Sequence, residues 1–461
     1  MKDKNFIDLA SVRAGLENGG KKRFWRSLEQ LADTEGYQEL ARQEFPRNSP
    51  VKQVESGVSR RNMLKLMAAS AGLAGLTACT KLPIEHIAPY VRPSEEFVPG
   101  HPLFYATSMP RPEGGAIGLL VKSHMGRPTK VEGNPDHPAS LGSTDVFSQA
   151  SVLDLWDPDR AQTVLHEGAI TNYSEFLELL GQLRSLYLTQ KGAGFRILTE
   201  TVTSPTLGSQ LKALVAQFPE AKWHQYTPVN RQAEREGMRA LYGEDLSVYY
   251  KFDQADVIVS LDADFLCSGR GGVRYSRDFA DKRRITNTHS PMNRLYVVES
   301  MATITGGSAD HRLPLKPSQI ETFAKALAGA LGVKGIDAGA QAPAGVPAGW
   351  LAGVARDLQQ RSGTSIILAG EQQPPIVHAL AHAMNAALGN TGKTVVYTAP
   401  IEAQPVNELD SIRELADDMN AGKVDTLLII GGNPVYNAPA DVAFEKALDR
   451  VKLRLRLGIY N

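Results

Sequence analysis

Asp256-Val257-Ile258-Val259-Ser260-Leu261 is a short apolar run that lacks the spacing of an amphipathic helix. Runs of this length and continuity are typical of parallel strands that are buried on both faces of a sheet. Similar runs occupy 195–199, 294–299, 365–370, 394–397 and 426–430. The sequence therefore predicts a sheet built largely from buried parallel strands.

Segments with helical spacing separate these predicted strands. They cover 173–187, 205–218, 375–388 and 411–421. Ser204 followed by Pro205 is typical of an N-cap with proline just inside the helix. Because strands and helices alternate, we expect an α/β fold with doubly wound βαβ domains.

Composition shifts divide the chain into further segments. The stretch 334–350 is rich in Ala, Gly and Pro, which predicts a linker between a first α/β domain at 161–333 and a second at 351–461. The alternating apolar pattern at 451–461 predicts a strand, and since no cap or polar tail follows, we expect the second domain to be truncated.

Residues 80–160 differ from the rest of the chain. Prolines recur from Pro83 to Pro112, which disfavours regular helix. An apolar run at 118–123, a Gly-containing turn and a second run at 129–133 predict a β-hairpin. We therefore expect a small Pro-rich, β-rich subdomain before the α/β domains.

Charge and cysteine content exclude some classes of function. Lys+Arg and Asp+Glu both total 50, so the net charge is zero and no attraction to nucleic acid is expected. The only cysteines are Cys79 and Cys267. A [4Fe–4S] cluster usually takes four thiolates, so this chain cannot hold one by cysteine alone, and a disulfide scaffold is excluded as well.

A twin-arginine export signal is predicted inside the segment 59–79. Its residues are Ser59, Arg60, Arg61, Leu64 and Lys65, and an uncharged run at 66–78 follows. This run is shorter than the roughly 20 residues that a membrane-spanning helix needs, which favours a targeting segment. The alternative is a basic patch that begins a buried helix.

The regions around this signal carry two further predictions. Residues 1–58 form a leader in which apolar positions of 22–31 have helical spacing, so an amphipathic helix or a loosely ordered pre-sequence is expected. Ala78 before Cys79 resembles a bacterial lipobox, so Cys79 is either lipidated or an inert buried thiol. Cys267 is interpreted as a core or turn residue.

Residues with candidate chemistry are scattered. His378 and His382 are four positions apart on a predicted helix, but no third ligand lies near them in sequence. Asp262 and Asp264 follow a strand at its ligand-binding end, where turn capping competes with a metal or acid–base role. In the polar loop cluster Asp310-His311-Arg312, a local salt bridge of Arg312 is favoured over a bound anion. Gly431-Gly432-Asn433-Pro434, which follows a strand, gives a weak signal for a phosphate. No catalytic, cofactor-binding or metal-binding residue is assigned.

Several motifs resemble those of molybdopterin oxidoreductases. They are Gly126-Arg127-Pro128 running through to Asn134-Pro135-Asp136-His137-Pro138, Leu155-Trp156-Asp157-Pro158, and Gly431-Gly432-Asn433-Pro434. Together with the internal Ser59-Arg60-Arg61 signal, Met292-Asn293-Arg294 and Ala309-Asp310-His311-Arg312, they resemble the iron–sulfur, molybdopterin-oxidoreductase-like subunit of bacterial alternative complex III.

This resemblance implies a role in quinol oxidation by a membrane complex in respiratory or photosynthetic electron transfer. The implied partners are membrane and haem subunits and the chain's own ferredoxin-like C-terminal region, where iron–sulfur clusters are expected. The implied location is the periplasmic face of the inner membrane. Because 105–123 and 141–145 lack the cysteines of catalytic relatives, we expect no bound molybdopterin and a non-catalytic scaffold.

Two other functions stay open at this stage. One is a genuine molybdenum- and pterin-dependent oxidoreductase that holds the cofactor through Gly-rich loops. The other is an exported, lipid-tethered binding protein without a redox role.

Overall fold

The computed structural model describes residues 96–98, 100–111, 114–287, 290 and 292–460, together with residue 35. Residues 92–461 form one compact unit. The predicted leader helix in 1–58 and the export signal and candidate lipobox in 59–79 lie outside the described residues.

Strands and helices alternate along most of this unit. The strands are β1 (Leu103–Pro110), β2 (Ala116–His124), β3 (Arg127–Gly133), β4 (Val164–His166), β5 (Ala169–Thr171), β6 (Phe195–Thr199), β7 (Lys222–Gln225), β8 (Ser247–Tyr250), β9 (Val257–Leu261), β10 (Arg294–Glu299), β11 (His311–Pro314), β12 (Ser365–Ala369), β13 (Val395–Thr398), β14 (Thr426–Ile430) and β15 (Leu453–Leu457). The helices are α1 (Val146–Asp154), α2 (Tyr173–Thr189), α3 (Pro205–Gln217), α4 (Gln232–Tyr242), α5 (Gly272–Asp281), α6 (Ile304–Gly307), α7 (Pro317–Ala330), α8 (Trp350–Gln360), α9 (Pro375–Ala387), α10 (Glu408–Asn420), α11 (Pro434–Asn437) and α12 (Phe444–Leu448).

The first parallel sheet has the strand order β11-β10-β9-β12. All five residues of β9 are buried, as its continuous apolar run predicts. Helices α7, α8 and α9 pack on one face, while β8 and α5 cover the other. The α/β fold class predicted from sequence is confirmed.

The second parallel sheet has the order β15-β14-β6-β7. One face packs against α10 and α12, and the other packs against α2 and α3. The predicted N-cap of α3 is present, because the Ser204 side chain accepts a hydrogen bond from the Leu207 N–H.

The strand pairing joins the two α/β segments predicted from sequence. β12 pairs with β9, and β14 pairs with β6, so 161–333 and 351–461 each contribute strands to both sheets. The stretch 334–350 therefore does not separate two sheets. It is also fixed to the first core, because Ile336 and Val346 pack there and Gly329 of α7 lies where an added Cβ would be 2.3 Å from the Asp337 carbonyl oxygen.

A smaller β-rich part precedes the sheets. β1, β2 and β3 form an antiparallel sheet, so the hairpin predicted over 118–133 is confirmed. Helix α1 contacts β3, and β4 and β5 form a short separate hairpin. None of the described helices combines the length and the apolar character that a membrane-crossing segment needs.

Candidate functional site

A cavity of about 680 Å³ opens at the carboxyl ends of β9 and β12. Its wall includes Asp262 and Asp264 after β9, Ser300 after β10 and the segment Ala369–Pro374 after β12. This edge is where open α/β sheets bind ligands, and the volume falls within the usual range for small-molecule sites. The cavity is therefore the candidate functional site.

The two aspartates predicted at this edge accept hydrogen bonds from other residues of the chain. The Asp262 carboxylate accepts hydrogen bonds from the Ser300 N–H (2.9 Å) and from Gln373 Nε2 (2.9 Å). The Asp264 carboxylate accepts from the N–H (2.9 Å) and the hydroxyl (2.7 Å) of Thr305. Both side chains thus hold the loops of the cavity together, which favours the turn interpretation over acid–base or metal chemistry.

The turn at Asp262 is also tight. Asp262 has a φ of 60°, in the left-handed region that side chains other than glycine rarely adopt. Its carbonyl oxygen lies only 2.0 Å from the place where a Cβ on Gly370 would be. A glycine is therefore required at position 370 for β9 and β12 to lead into the cavity side by side.

Three buried polar atoms in the wall lack hydrogen-bond partners among the described residues: Arg270 Nη2, Gln373 Oε1 and His378 Nε2. Gln373 is 3% exposed and His378 is 4% exposed. Buried polar atoms of this kind are uncommon and usually have a water or ligand partner. Together they offer a cationic donor, an acceptor and an imidazole nitrogen to a polar molecule.

A buried ionic cluster closes one side of the cavity. Arg231 donates from Nε to Glu234 (2.7 Å) and from Nη1 to Glu402 (3.1 Å). Burial by itself would raise the pKa of Glu234, but the adjacent Arg231 outweighs that effect and lowers it. The carboxylate therefore stays ionised beside His378, and Arg231 is shared between Glu234 and Glu402.

His378 and His382 do come to one face of α9, as their spacing predicts. Both are buried, and Nδ1 of His382 lies 3.0 Å from the Tyr397 hydroxyl. Burial lowers the pKa of His378, and it lowers the pKa of His382 to about 4, so both imidazoles are neutral at pH 7. Among the described residues, no group of three His, Cys, Asp or Glu side chains could hold a metal ion.

The Gly431-Gly432 loop faces an acidic group. It follows β14 with φ values of 70° and 59°, and the Glu200 side chain lies within 3.4 Å of an added Cβ at either glycine. Burial raises the pKa of Glu200. The adjoining cavity is only about 10 Å³. A carboxylate and so little space are unfavourable for the phosphate that the sequence pattern indicated as a weak option.

The remaining sequence candidates have local roles. Arg312 forms an ion pair with Glu299, and the Asp310 carboxylate accepts from the Leu295 N–H (2.8 Å) and pairs with Arg283. This agrees with the local salt bridge expected for Arg312. Cys267 is an exposed turn residue whose N–H donates to the Asp264 carbonyl oxygen (3.0 Å).

Sequence patterns did not identify the cavity residues whose buried polar atoms lack hydrogen-bond partners among the described residues. Arg270 lies in a glycine-flanked loop directly after β9, so its position beyond a buried strand was a usable signal. Gln373 comes from the β12–α9 connection and His378 from the first turns of α9, both more than a hundred positions later. Their approach depends on the pairing of β12 with β9, which no local pattern indicates.

The residues present fit a pterin cofactor only in part. A pterin ring carries N–H donors and ring acceptors, and its phosphate is anionic, so Gln373 Oε1, His378 Nε2 and Arg270 Nη2 match those groups in kind. No cysteine is among the described residues lining the cavity, and Asp262 and Asp264 are already hydrogen-bonded. The lining therefore suits an organic polar group and offers no thiolate to a metal centre.

Fold and site together define a doubly wound α/β protein with a polar cleft at the carboxyl edge of its first sheet. No family model matches the chain. It is 24% identical over 377 residues to the menaquinone reductase, molybdopterin-binding-like subunit of Nitratidesulfovibrio vulgaris strain Hildenborough. The match covers 74% of this chain and 54% of that protein, so the chain spans about half the length of this curated relative. The chain is thus molybdopterin-oxidoreductase-like.

Solved structures give more distant matches. Acetylene hydratase from Pelobacter acetylenicus has a TM-score of 0.48 at 13% identity, over 77% of this chain and 59% of that one. The formyltransferase/hydrolase complex from Methylorubrum extorquens has a TM-score of 0.39 at 13% identity, over 64% of this chain and 86% of that one.

Proposed function

We propose that this chain is a non-catalytic, molybdopterin-oxidoreductase-like scaffold within a membrane quinone oxidoreductase. The observation that carries the proposal is its similarity to a menaquinone reductase subunit whose name describes it as molybdopterin-binding-like. The cavity supports it, because its two edge aspartates serve the fold and its lining offers no thiolate.

In its finer form, the proposal places the chain in an alternative complex III that oxidises quinol. Its partners are then the membrane and haem subunits and its own ferredoxin-like region, which would hold the iron–sulfur clusters. The chain itself holds no molybdopterin, and it lies at the periplasmic face of the inner membrane. These assignments rest on the sequence resemblance.

Elemental analysis of the natively purified complex tests the proposal. We expect iron without stoichiometric molybdenum or tungsten, because the scaffold contributes no cofactor of its own. Extraction and fluorescence detection of oxidised pterin from the same sample should give none above a denatured-protein blank. Molybdenum or tungsten at one atom per chain would contradict the scaffold role.

The three unpartnered polar atoms favour a second candidate, a genuine pterin-dependent oxidoreductase. In that case the cavity would bind and orient the pterin through Arg270, Gln373 and His378. Arg270→Gln should then lower the pterin content of the purified complex, whereas under the scaffold proposal there is no pterin content to lower.

Export and membrane attachment are tested by variants of the N-terminal segment. Arg60→Lys with Arg61→Lys should leave the protein in the cytoplasm, and normal export of this double variant would refute the twin-arginine assignment. Cys79→Ser should lower the intact mass by the mass of the attached lipid and should weaken membrane retention. Cys267→Ser, at an exposed turn, is the matched control and should change neither.

A further inference from the structure

The cavity at the carboxyl ends of β9 and β12 contains charged groups without counter-ions. The Asp262 and Asp264 carboxylates accept hydrogen bonds from neutral donors, and neither forms an ion pair with a described residue. Arg270 also forms no ion pair within the part of the chain that the structure describes, and its Nη2 has no hydrogen-bond partner there. Charges of both signs therefore remain unbalanced in the wall of one cavity.

The unpartnered atoms in this wall have defined roles as donors or acceptors. Gln373 Nε2 donates to Asp262 at 2.9 Å, so Gln373 Oε1 is left as an acceptor. The His378 ring hydrogen-bonds to the backbone of Gln373 and Gly370, and because Nε2 has no partner, Nδ1 carries the proton and Nε2 can accept. Arg270 Nη2 can only donate. The cavity thus offers a ligand one cationic donor and two acceptors.

The surroundings of the two acceptors favour a positively charged donor. Glu234 is ionised and acts electrostatically on His378. Its partner Arg231 is shared with Glu402, so this cluster has one more carboxylate than it has guanidinium groups. Gln373 is itself bonded to one of the edge aspartates. An ammonium group would gain from this negative charge, whereas an anionic group would be repelled by it.

Much of the remaining wall is apolar. Phe265 after β9, Tyr275 of α5 and Leu368 of β12 are buried side chains that line the cavity. The volume of about 680 Å³ leaves room for an organic body as large as an aromatic ring in addition to its polar groups. A ligand that matches this wall therefore combines an apolar body with charged groups of both signs.

We propose that the cavity binds a small zwitterion, an amino carboxylate with an apolar body. Its carboxylate would pair with Arg270, and its ammonium group would donate to Gln373 Oε1 and His378 Nε2. Such a ligand supplies a partner to all three unpartnered atoms. A phosphate-bearing molecule is a poor occupant, because the wall already contains carboxylates without counter-ions. The proposal goes beyond the scaffold role, which gives the cavity no ligand.

Isothermal titration calorimetry of the full chain with two zwitterions is the direct test. The probes are L-phenylalanine, in which the two charges are close together, and 4-(aminomethyl)benzoate, in which they lie at opposite ends of a ring. At least one should bind with a dissociation constant on the order of 1 mM or tighter, as expected for ligands of this size. Failure of both probes to bind would overturn the proposal.

Analogues with a single charge test the two ends of the ligand. For L-phenylalanine these are phenethylamine and 3-phenylpropanoate, and for 4-(aminomethyl)benzoate they are 4-methylbenzylamine and 4-methylbenzoate. Each should bind about tenfold or more weakly than its zwitterion, because it lacks one set of charge-assisted hydrogen bonds. A carboxylate or an amine that binds as tightly as the zwitterion would contradict the proposed pairing.

Arg270→Gln tests the assigned position of the carboxylate. It should weaken binding of the zwitterion by about tenfold and leave binding of the matched amine unchanged, because the amine makes no contact with Arg270. Arg284→Gln, at an exposed position outside the cavity lining, is the matched control and should change neither. Equal losses for the zwitterion and the amine would refute the assignment of the carboxylate to Arg270.

Pterin-6-carboxylate serves as the competing probe. Tighter binding of this compound than of either zwitterion would assign the cavity to the second candidate function and overturn the proposal. We expect it to bind more weakly, because it carries no ammonium group. The scaffold role is tested by the metal content of the native complex, which does not enter these titrations, so the two proposals can fail separately.

Discussion

His224 makes the stability of this protein depend on pH in a way that one substitution can isolate. The side chain is 2% exposed, its Nε2 lacks a partner among the described residues, and Nδ1 lies 3.4 Å from the Ser411 hydroxyl. Burial is the main cause that lowers the pKa of His224 from 6.5 to about 4. The charge of Glu414 opposes this shift, and the charges of Arg196 and Lys222 add to it.

The sign and size of this change in stability follow from a pKa of 6.5 in the unfolded chain and of about 4 in the folded protein. Between pH 6.5 and 4 the unfolded chain binds a proton at this position that the folded chain does not, so stability falls as the pH falls through this range. At pH 5 the loss relative to pH 7.5 is about 2 kcal/mol for this one side chain.

Urea unfolding followed by tryptophan fluorescence measures this effect. The His224→Gln variant should lose less stability than the wild type between pH 7.5 and 5.0, by about 2 kcal/mol. His166→Gln, at an exposed position, is the control and should follow the wild type. An unchanged pH dependence in His224→Gln would refute the reasoning, because it would mean that the imidazole is protonated in the folded protein.

Three further substitutions, with Gly353→Ala as a control, test the packing of the two sheets. Asp418→Asn should cost about 3–5 kcal/mol in the free energy of unfolding, because it leaves the buried Arg196 guanidinium, now 2.9 Å from the carboxylate, without its counter-ion; a loss below 1 kcal/mol would contradict this. Gly370→Ala should lower the urea midpoint by pressing a Cβ on the loop after β9, whereas Gly353→Ala, in an open position of α8, should raise it. Ser204→Ala should cost about 1 kcal/mol through loss of the α3 N-cap, and an unchanged midpoint would show that the cap contributes nothing.

Strands that are buried on both faces could be located from sequence. β10 was predicted with the bounds the structure has, because both faces of Arg294–Glu299 beyond its first residue are packed. β7 was not predicted, because three of its four residues, Lys-Trp-His-Gln, are polar although all but the first are buried. Local patterns therefore reveal strands rich in apolar residues, including the end strands β12 and β15, and miss a strand built mostly of polar residues.

Strand order could not be predicted from the sequence for a different reason. The stretch 334–350 does have the composition of a linker. Strand pairing, however, depends on contacts between distant segments, as between β9 and β12 and between β6 and β14. The same limit applies to the cavity: Asp262 could be placed at a ligand-binding edge, while Gln373 could not be placed beside it.

The crossing of the chain between the two sheets also sets a lower limit on the time that folding takes in the cell. β6 ends at Thr199, and its neighbour β14 begins at Thr426, so about 230 residues must be synthesised before the pair can form. At a translation rate of roughly 5–20 residues per second, the apolar faces of β6 and β7 wait about 10–45 s for their partner strand. During that interval the nascent chain exposes an unfinished sheet, and it is then that we expect its greatest need for chaperones.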